Sequence, residues 1–258
     1  MVKGLYTAYT GMINQEHRMD VLTNNLANAN TNGYKKEGAT SQSFDAVLTY
    51  KIKDVTEGYH LARRIGRNNP GVKIGEGYTD FSQGPVKSTG NPFDLALTDA
   101  GFFAVEFTNK AGESSVKYTR DGNFTLTQDG RLVTQDGDAV LDEDGSPIKI
   151  DPLLEAQINT SGQIIQDGSV VATIQVTDFE DYNYLEHYGE NYFMPVEGAR
   201  EKEPEAEVYA GYLETSNISV VDEMVNMIAV QRAYESNQKV ITTIDSTLEI
   251  SANQLGKL

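Results

Sequence analysis

Apolar residues recur every seven positions near the carboxyl terminus. One series comprises Val220, Met227, Tyr234, Ile241, Leu248 and Leu255. A second series, three residues further on, is only half apolar and comprises Glu223, Val230, Asn237, Ile244 and Ser251. This heptad predicts a helix over residues 220–255, about 54 Å long, that packs against a partner helix. Ser219 with Asp222 forms a capping box at its start, and Gly256 is placed to end it.

A second heptad begins the chain. Its apolar positions are Leu5, Met12, Met19 and Leu26, with Ala8, Gln15, Leu22 and Ala29 at the intervening positions. Gly11 costs this helix about 1 kcal/mol relative to alanine. We therefore expect the first helix to depend on the carboxyl-terminal helix or on a neighbouring molecule.

The period changes to two between Pro85 and Tyr212, where short runs of β-branched and aromatic residues alternate with polar ones. Asp-Gly pairs follow several of these runs, and such pairs suit type I′ hairpin turns because both central residues need a positive φ. The pairs begin at Asp121, Asp129, Asp136, Asp144 and Asp167. An antiparallel β domain is predicted, arranged as a meander or a barrel.

The element order predicts an α+β fold, in which the two terminal helices pair as a coiled-coil-like module and an antiparallel all-β domain is inserted between them. The predicted domains are 1–40 with 214–258 for the helical module, 41–84 for an extended linker or loop, and 85–213 for the β domain. Within 41–84, glycines that include Gly75 indicate loop. Such a plan is unusual for an enzyme and natural for a protein that polymerises through its ends.

The formal net charge of −17 is concentrated in the middle, since residues 121–207 hold 20 acidic and 4 basic residues. This charge argues against nucleic acid or an anionic membrane as a partner. There is no cysteine for a disulfide. The start of the chain lacks the apolar core of a cleaved signal peptide, and no window is apolar enough to span a membrane.

Chemical motifs are weak throughout the sequence. The three histidines, His17, His60 and His187, do not have metal-ligand spacing. The acidic run from Asp142 lacks the first and last ligands of a calcium-binding EF-hand loop. There is no nucleophile elbow, phosphate loop or Cys-His combination. We therefore predict no catalytic residue, no metal and no cofactor.

Three stretches together resemble the bacterial flagellar basal-body rod and hook proteins. The first is Asn25-Leu26-Ala27-Asn28 with Thr31, Gly33, Tyr34 and Lys35. The second comprises Tyr118, Thr119, Arg120, Asp121 and Gly122, continuing to Phe124. The third runs from Glu214-Thr215-Ser216-Asn217 to Gln231-Arg232-Ala233-Tyr234. The length resembles a rod protein more than a hook protein, with the distal-rod type favoured and a proximal-rod relative still open.

The resemblance implies a structural subunit of the basal-body rod that polymerises helically through its terminal helices, with the β domain facing outward. Its implied partners are copies of itself, the other axial proteins of rod and hook, and the flagellar type III export apparatus, which would export it without a cleaved signal. The predicted assembly interface comprises Leu5, Met12, Met19, Leu22, Asn25, Leu26, Asn28, Val220, Met227, Ile228, Gln231, Tyr234, Asn237, Ile241, Ile244 and Leu248.

Two alternatives stay open. The chain could instead be an extracellular adhesin or glycan-binding module, with an aromatic surface formed by Tyr182, Tyr184, Tyr188 and Tyr192. The basic segment from Lys51 to Lys73 could be a solvated loop, or it could match the acidic middle of an adjacent copy.

Overall fold

In a computed structural model, the described residues are 2–51, 63–109, 112–189 and 191–253. The chain forms two compact units. Unit 1 comprises Met1–Leu26, Glu37–Thr79 and Ser219–Leu258, and unit 2 comprises Ala27–Lys36 and Asp80–Ile218. Both units are therefore assembled from segments that are distant in the sequence.

Unit 1 holds both helices and four strands: α1 (Val2–Ala27), β1 (Lys36–Ser43), β2 (Val47–Lys51), β3 (Arg63–Asn68), β4 (Val72–Asp80) and α2 (Val220–Asn253). Strand β1 pairs with β4, and β2 pairs antiparallel with β3. Ser219 caps the start of α2 and supplies one half of the predicted capping box, because the N–H of Asp222 donates to the Ser219 hydroxyl over 3.5 Å. The first helical bond runs from the N–H of Glu223 to the Ser219 carbonyl over 3.0 Å.

The two helices come close at the glycines of α1. A Cβ placed on Gly4 would lie 3.7 Å from Cδ1 of Ile244, and one on Gly11 would lie 3.0 Å from Nδ2 of Asn237. The contact moves forward along α1 as it moves back along α2, so the helices run antiparallel. Gly11, which weakens α1 on its own, allows this approach.

The predicted fold class, a coiled-coil-like helix pair with an inserted all-β domain, is wrong. The described residues contain two α-helices and 20 strands, and four of these strands belong to the same unit as the helices. Glycines misled the prediction between residues 41 and 84. Gly75 was interpreted as a loop signal, but it lies within β4, where a Cβ would overlap the Thr40 hydroxyl of β1. The glycine lets the two strands approach each other.

Unit 2 consists of strands. Those before residue 145 are β5 (Val86–Ser88), β6 (Leu95–Leu97), β7 (Phe102–Thr108), β8 (Ser114–Thr119), β9 (Thr125–Leu126), β10 (Leu132–Val133) and β11 (Ala139–Val140). Those after it are β12 (Ala156–Ile158), β13 (Gln163–Gln166), β14 (Ser169–Thr173), β15 (Val176–Phe179), β16 (Leu185–Tyr188), β17 (Tyr192–Pro195), β18 (Glu201–Lys202), β19 (Val208–Ala210) and β20 (Tyr212–Glu214).

The largest sheet has the order β16-β17-β8-β7-β11-β10-β9, with β15 pairing with both β7 and β18. Its central strand, β7, is buried on both faces, which explains its continuous apolar run. Phe103 and Val105 face one apolar core, whereas Phe102 and Ala104 face a second core that is rich in aromatic rings. The smaller sheets are β12-β13-β14, β19-β6 and β20-β5.

Only one Asp-Gly pair adopts the predicted turn. Asp167 has a φ of 49° and Gly168 a φ of 74°, and this pair joins β13 to β14 as a two-residue hairpin. The other four aspartates do not have a positive φ. One of them, Asp121, instead accepts the backbone N–H of Asn123 on its carboxylate, which is a turn chemistry that does not need a positive φ.

Candidate functional site

Three segments of unit 2 meet at a buried charge cluster formed by Lys35, Arg120 and Glu214. Lys35 follows the turn after α1, Arg120 follows β8, and Glu214 ends β20. The side chains are 1% exposed for Lys35, 3% for Arg120 and 1% for Glu214. Each residue belongs to a different one of the three family-like stretches, so these stretches converge in space.

The Glu214 carboxylate is bound on both oxygens. Oε1 accepts from Nζ of Lys35 over 2.6 Å and from the N–H of Gly84 over 2.8 Å. Oε2 accepts from Nη1 of Arg120 over 3.4 Å. Nζ of Lys35 also donates to the Ser82 carbonyl over 2.8 Å. A buried carboxylate with this set of donors is compensated and held in one orientation.

The backbone of Glu214 completes the junction, since its carbonyl accepts from the N–H of Gly33 over 2.8 Å. Asn217 adds a further link. Its Oδ1 accepts from the N–H of Lys36 over 2.8 Å, and its Nδ2 donates to the Asp80 carbonyl over 2.8 Å. The segments that continue into α1 and α2 are therefore fastened to each other.

Burial dominates the electrostatics of the two cations. Desolvation lowers the pKa of Lys35 from its usual value, and the adjacent Glu214 carboxylate opposes that change. Desolvation likewise lowers the pKa of Arg120, again opposed by Glu214. The Arg120 guanidinium also lies 5.2 Å from the centroid of the Phe102 ring. The cluster is suited to holding backbone segments, because both of its carboxylate oxygens accept from donors of the chain itself.

The central family-like stretch forms the turn beside this cluster. The N–H of Asp121 donates to Oγ1 of Thr119 over 3.0 Å, and the N–H of Asn123 donates to Oδ1 of Asp121 over 3.0 Å. Tyr118 donates its hydroxyl to Glu201 over 3.0 Å. A Cβ on Gly122 would overlap the Leu95 carbonyl. The turn is thus fixed by its own side chains and by close packing.

Burial raises the pKa of Asp121 from its usual 3.8 to about 6. The neighbouring Asp136 and Asp94 carboxylates raise the pKa further, whereas the hydrogen bonds from Asn123 and Asn191 lower it. The same Asn191 donates from Nδ2 to the Asn32 carbonyl over 2.8 Å, which ties the turn to the segment after α1.

The predicted interface residues of the helices differ widely in exposure. Asn25 is fully buried. Its Nδ2 donates to the Glu37 carbonyl over 2.8 Å, and its Oδ1 accepts from the Glu37 N–H over 3.0 Å. Asn28 is half-buried and accepts from the Thr31 hydroxyl over 3.3 Å. Val220, Ile228, Gln231 and Leu248 are exposed. The half-buried residues are Leu5, Met12, Met19, Leu22, Leu26, Met227, Tyr234, Asn237, Ile241 and Ile244.

The pairing of Lys35, Arg120 and Glu214 was missed by sequence reasoning. Lys35 and Glu214 are 179 positions apart, so no local pattern connects them. The available signal was that each family-like stretch carries one of these charged residues. Asn14, also missed, is buried on α1 and donates to Ser41 over 3.0 Å.

No group of three or more His, Cys, Asp or Glu side chains that could hold a metal ion occurs among the described residues. Within the same ranges, neither helix is long and apolar enough to cross a membrane. The proposed aromatic surface is also broken up. Tyr182 packs against Phe81 and Phe102, and Tyr192 is buried in the core of unit 2.

Comparison with known proteins gives three matching family models. Residues 5–35 match the flagella basal body rod protein model, residues 96–172 match the D1 domain of the flagellar hook protein FlgE/F/G, and residues 209–255 match the carboxyl-terminal model of the flagellar basal body rod FlgEFG proteins.

Full-length relatives agree with the family models. The flagellar basal-body rod protein FlgG of Buchnera aphidicola subsp. Schizaphis graminum is 33% identical, over 96% of this chain and 98% of its own. FlgF of Caulobacter vibrioides is 34% identical, over 100% of this chain and 98% of its own. The flagellar hook-basal body complex protein FlhO of Bacillus subtilis is 30% identical over the whole of both chains.

The substitution Glu214→Gln keeps the side-chain shape but leaves Lys35 and Arg120 buried without a carboxylate. Removing one partner of a buried pair costs about 3–5 kcal/mol, so the free energy of unfolding should fall by that amount. Urea denaturation of the full chain measures it. The exposed Glu203→Gln variant is the control and should change the free energy by less than about 0.5 kcal/mol. Equal stabilities of the two variants would contradict the role of the cluster.

The raised pKa of Asp121 predicts a pH effect. Between pH 3.8 and about 6, the Asp121 carboxyl binds a proton when the chain folds. The contribution of this protonation to the free energy of unfolding is fully present below pH 3.8 and is lost as the pH rises through 6. Relative to Asp121→Asn, the parent chain should gain up to about 3 kcal/mol of unfolding free energy on moving from pH 7 to pH 4.

The matched control for this pH effect is Asp129→Asn, because Asp129 is an exposed aspartate of another Asp-Gly turn. It should follow the pH profile of the parent chain. If Asp121→Asn also follows the parent profile in urea denaturation at both pH values, Asp121 does not titrate with a raised pKa.

Proposed function

The chain belongs to the flagellar basal-body rod protein family and is a structural subunit of the rod, and from this premise we propose that it polymerises helically with copies of itself through α1 and α2. The proposal includes contacts with other axial proteins of rod and hook, and export by the flagellar type III apparatus without a cleaved signal.

The observation that carries the proposal is that few residues of α2 are buried. Of its 34 residues, only Glu223 and Val230 are buried in the described part of the chain. A helix in a folded protein gains most of its stability from packing an apolar face rather than from helix propensity. The exposed and half-buried apolar residues of α2 therefore need further neighbours, and helical assembly of a rod supplies them.

The charge distribution supports the same arrangement. Unit 1 contains 11 Lys and Arg against 12 Asp and Glu, a net charge of −1, which leaves −16 of the total −17 for unit 2. Close packing of many copies is opposed by like charge. A nearly neutral unit can form the interior of a polymer, whereas the acidic unit is suited to the water-facing outside.

The adhesin alternative loses its main support, because Tyr182 and Tyr192 lie in the core of unit 2. Tyr188 packs against Phe107 and beneath the ammonium group of Lys117, 4.1 Å from its ring centroid. Contacts within unit 2 therefore account for the positions of these rings, and no bound glycan is needed to explain them.

The substitution Ile241→Asp tests polymerisation in a strain that lacks the chromosomal copy. Ile241 is half-buried on the heptad face of α2, so a charge there should block rod assembly while unit 2 stays folded. Swimming in soft agar and electron microscopy of basal bodies measure the outcome. Ile241→Val keeps the apolar surface and should swim normally. Normal rods and swimming with Ile241→Asp would refute polymerisation through this face.

A further inference from the structure

The chain contains a single Asn-Gly pair, Asn32-Gly33, and this pair lies beside the buried charge cluster. Gly33 is buried and has a φ of 68°. A Cβ placed on it would lie 2.5 Å from the carbonyl carbon of Arg120, so this position requires glycine. The fold therefore places a glycine directly after Asn32, and this order of residues has a chemical consequence.

An asparagine that is followed by glycine is chemically labile in water. The backbone nitrogen of the glycine attacks Cγ of the asparagine, and a succinimide ring closes. The amide nitrogen of the side chain and the proton of the backbone N–H leave together as ammonia. Water then opens the ring at either carbonyl, which gives an aspartyl or an isoaspartyl residue. Glycine favours the attack because it has no side chain to crowd its nitrogen.

Both sides of the peptide bond between Asn32 and Gly33 are held by hydrogen bonds. The N–H of Gly33 donates to the Glu214 carbonyl over 2.8 Å, and the Asn32 carbonyl accepts from Nδ2 of Asn191 over 2.8 Å. The nitrogen attacks only after it loses its proton, and a buried N–H that is bonded to a carbonyl is shielded from the base that would remove it. Opening this bond also leaves two buried backbone groups without partners, which is unfavourable.

We propose that Asn32 is a site of spontaneous deamidation, and that the hydrogen bond from Gly33 to Glu214 prevents the reaction in the folded chain. Asn32 is half-buried, so water reaches the site once the bond opens. The reaction rate then follows the fraction of molecules in which the bond is open. Every group in this site belongs to unit 2 of one chain, so the site does not depend on polymerisation.

The isoaspartyl product is incompatible with the closed cluster. Its main chain passes through the former side chain, so the backbone becomes one atom longer between residues 32 and 33, and the former carbonyl becomes a free carboxylate. The bonds to Glu214 and to Asn191 are then not both remade with the same geometry. The closed cluster therefore protects a segment that it needs in order to close.

Peptide mass spectrometry of the purified full chain tests the site. The chain is incubated at mildly alkaline pH, both in buffer and in enough urea to unfold it, and circular dichroism confirms that the buffer sample stays folded. Asn32 should react at least roughly a hundredfold more slowly in buffer than in urea, because the closed bond is rarely open. Equal rates in the two samples would overturn the proposal, and so would the absence of any reaction at Asn32 in urea.

Variants of the surrounding contacts test the protection. Glu214→Gln weakens the cluster and should speed deamidation in buffer at least about tenfold. Asn191→Ala removes the donor to the Asn32 carbonyl and should speed it about fivefold, and this milder change keeps the test usable if Glu214→Gln does not fold. Glu203→Gln, at an exposed carboxylate, is the control and should react at the parent rate.

The chemistry has its own control in Asn32→Gln. Glutamine keeps the amide but closes only a larger ring, so this variant should show no reaction at residue 32 in buffer or in urea. If folded Glu214→Gln and Asn191→Ala chains both react at the parent rate, the contacts around Glu214 do not protect Asn32 and the proposal is overturned.

Discussion

A buried charge must be compensated, and in this chain that requirement brings remote segments together. The Glu214 carboxylate accepts from Lys35, Arg120 and the backbone of Gly84, and its own carbonyl accepts from Gly33. If any of these segments moved away, a charged side chain would stay buried in the apolar interior without its partner. The cluster therefore holds together the segment after α1, the segment before α2 and the turn at Asp121.

The sequence predicted the elements whose signals are local. Heptads located both helices, the Ser219 cap located the start of α2, and the alternating runs between Pro85 and Tyr212 indicated short strands. Long-range pairing could not be predicted. Arg120 and Glu214 are 94 positions apart, and no local pattern at either residue indicates that they form a pair. Gly75 was misinterpreted because the sequence alone does not distinguish a glycine that permits two strands to approach closely from a glycine that makes a turn.

The Asp-Gly pairs show the same limit in a different form. Five pairs predicted five type I′ turns, yet only Asp167 and Gly168 share the required positive φ. Asp121 uses its side chain to cap the Asn123 N–H and is itself partly desolvated, which is why its pKa rises. An aspartate can define a turn by its backbone angle or by its carboxylate, and only the surrounding packing decides between them.

One energetic argument explains the incomplete burial of both faces of α2. The heptad face is half-covered within unit 1, for example where Asn237 meets Gly11, whereas Val225 on the opposite face is 61% exposed. Apolar area left in water contributes nothing to folding until a partner removes it, at about 25 cal/mol per Å². Stability of the helix is therefore coupled to the concentration of partner surface by mass action. In the subunit, Glu214 holds together the segment that follows α1 and the segment that precedes α2. Under the proposed polymerisation, the exposed face of α2 gains its cover from neighbouring copies.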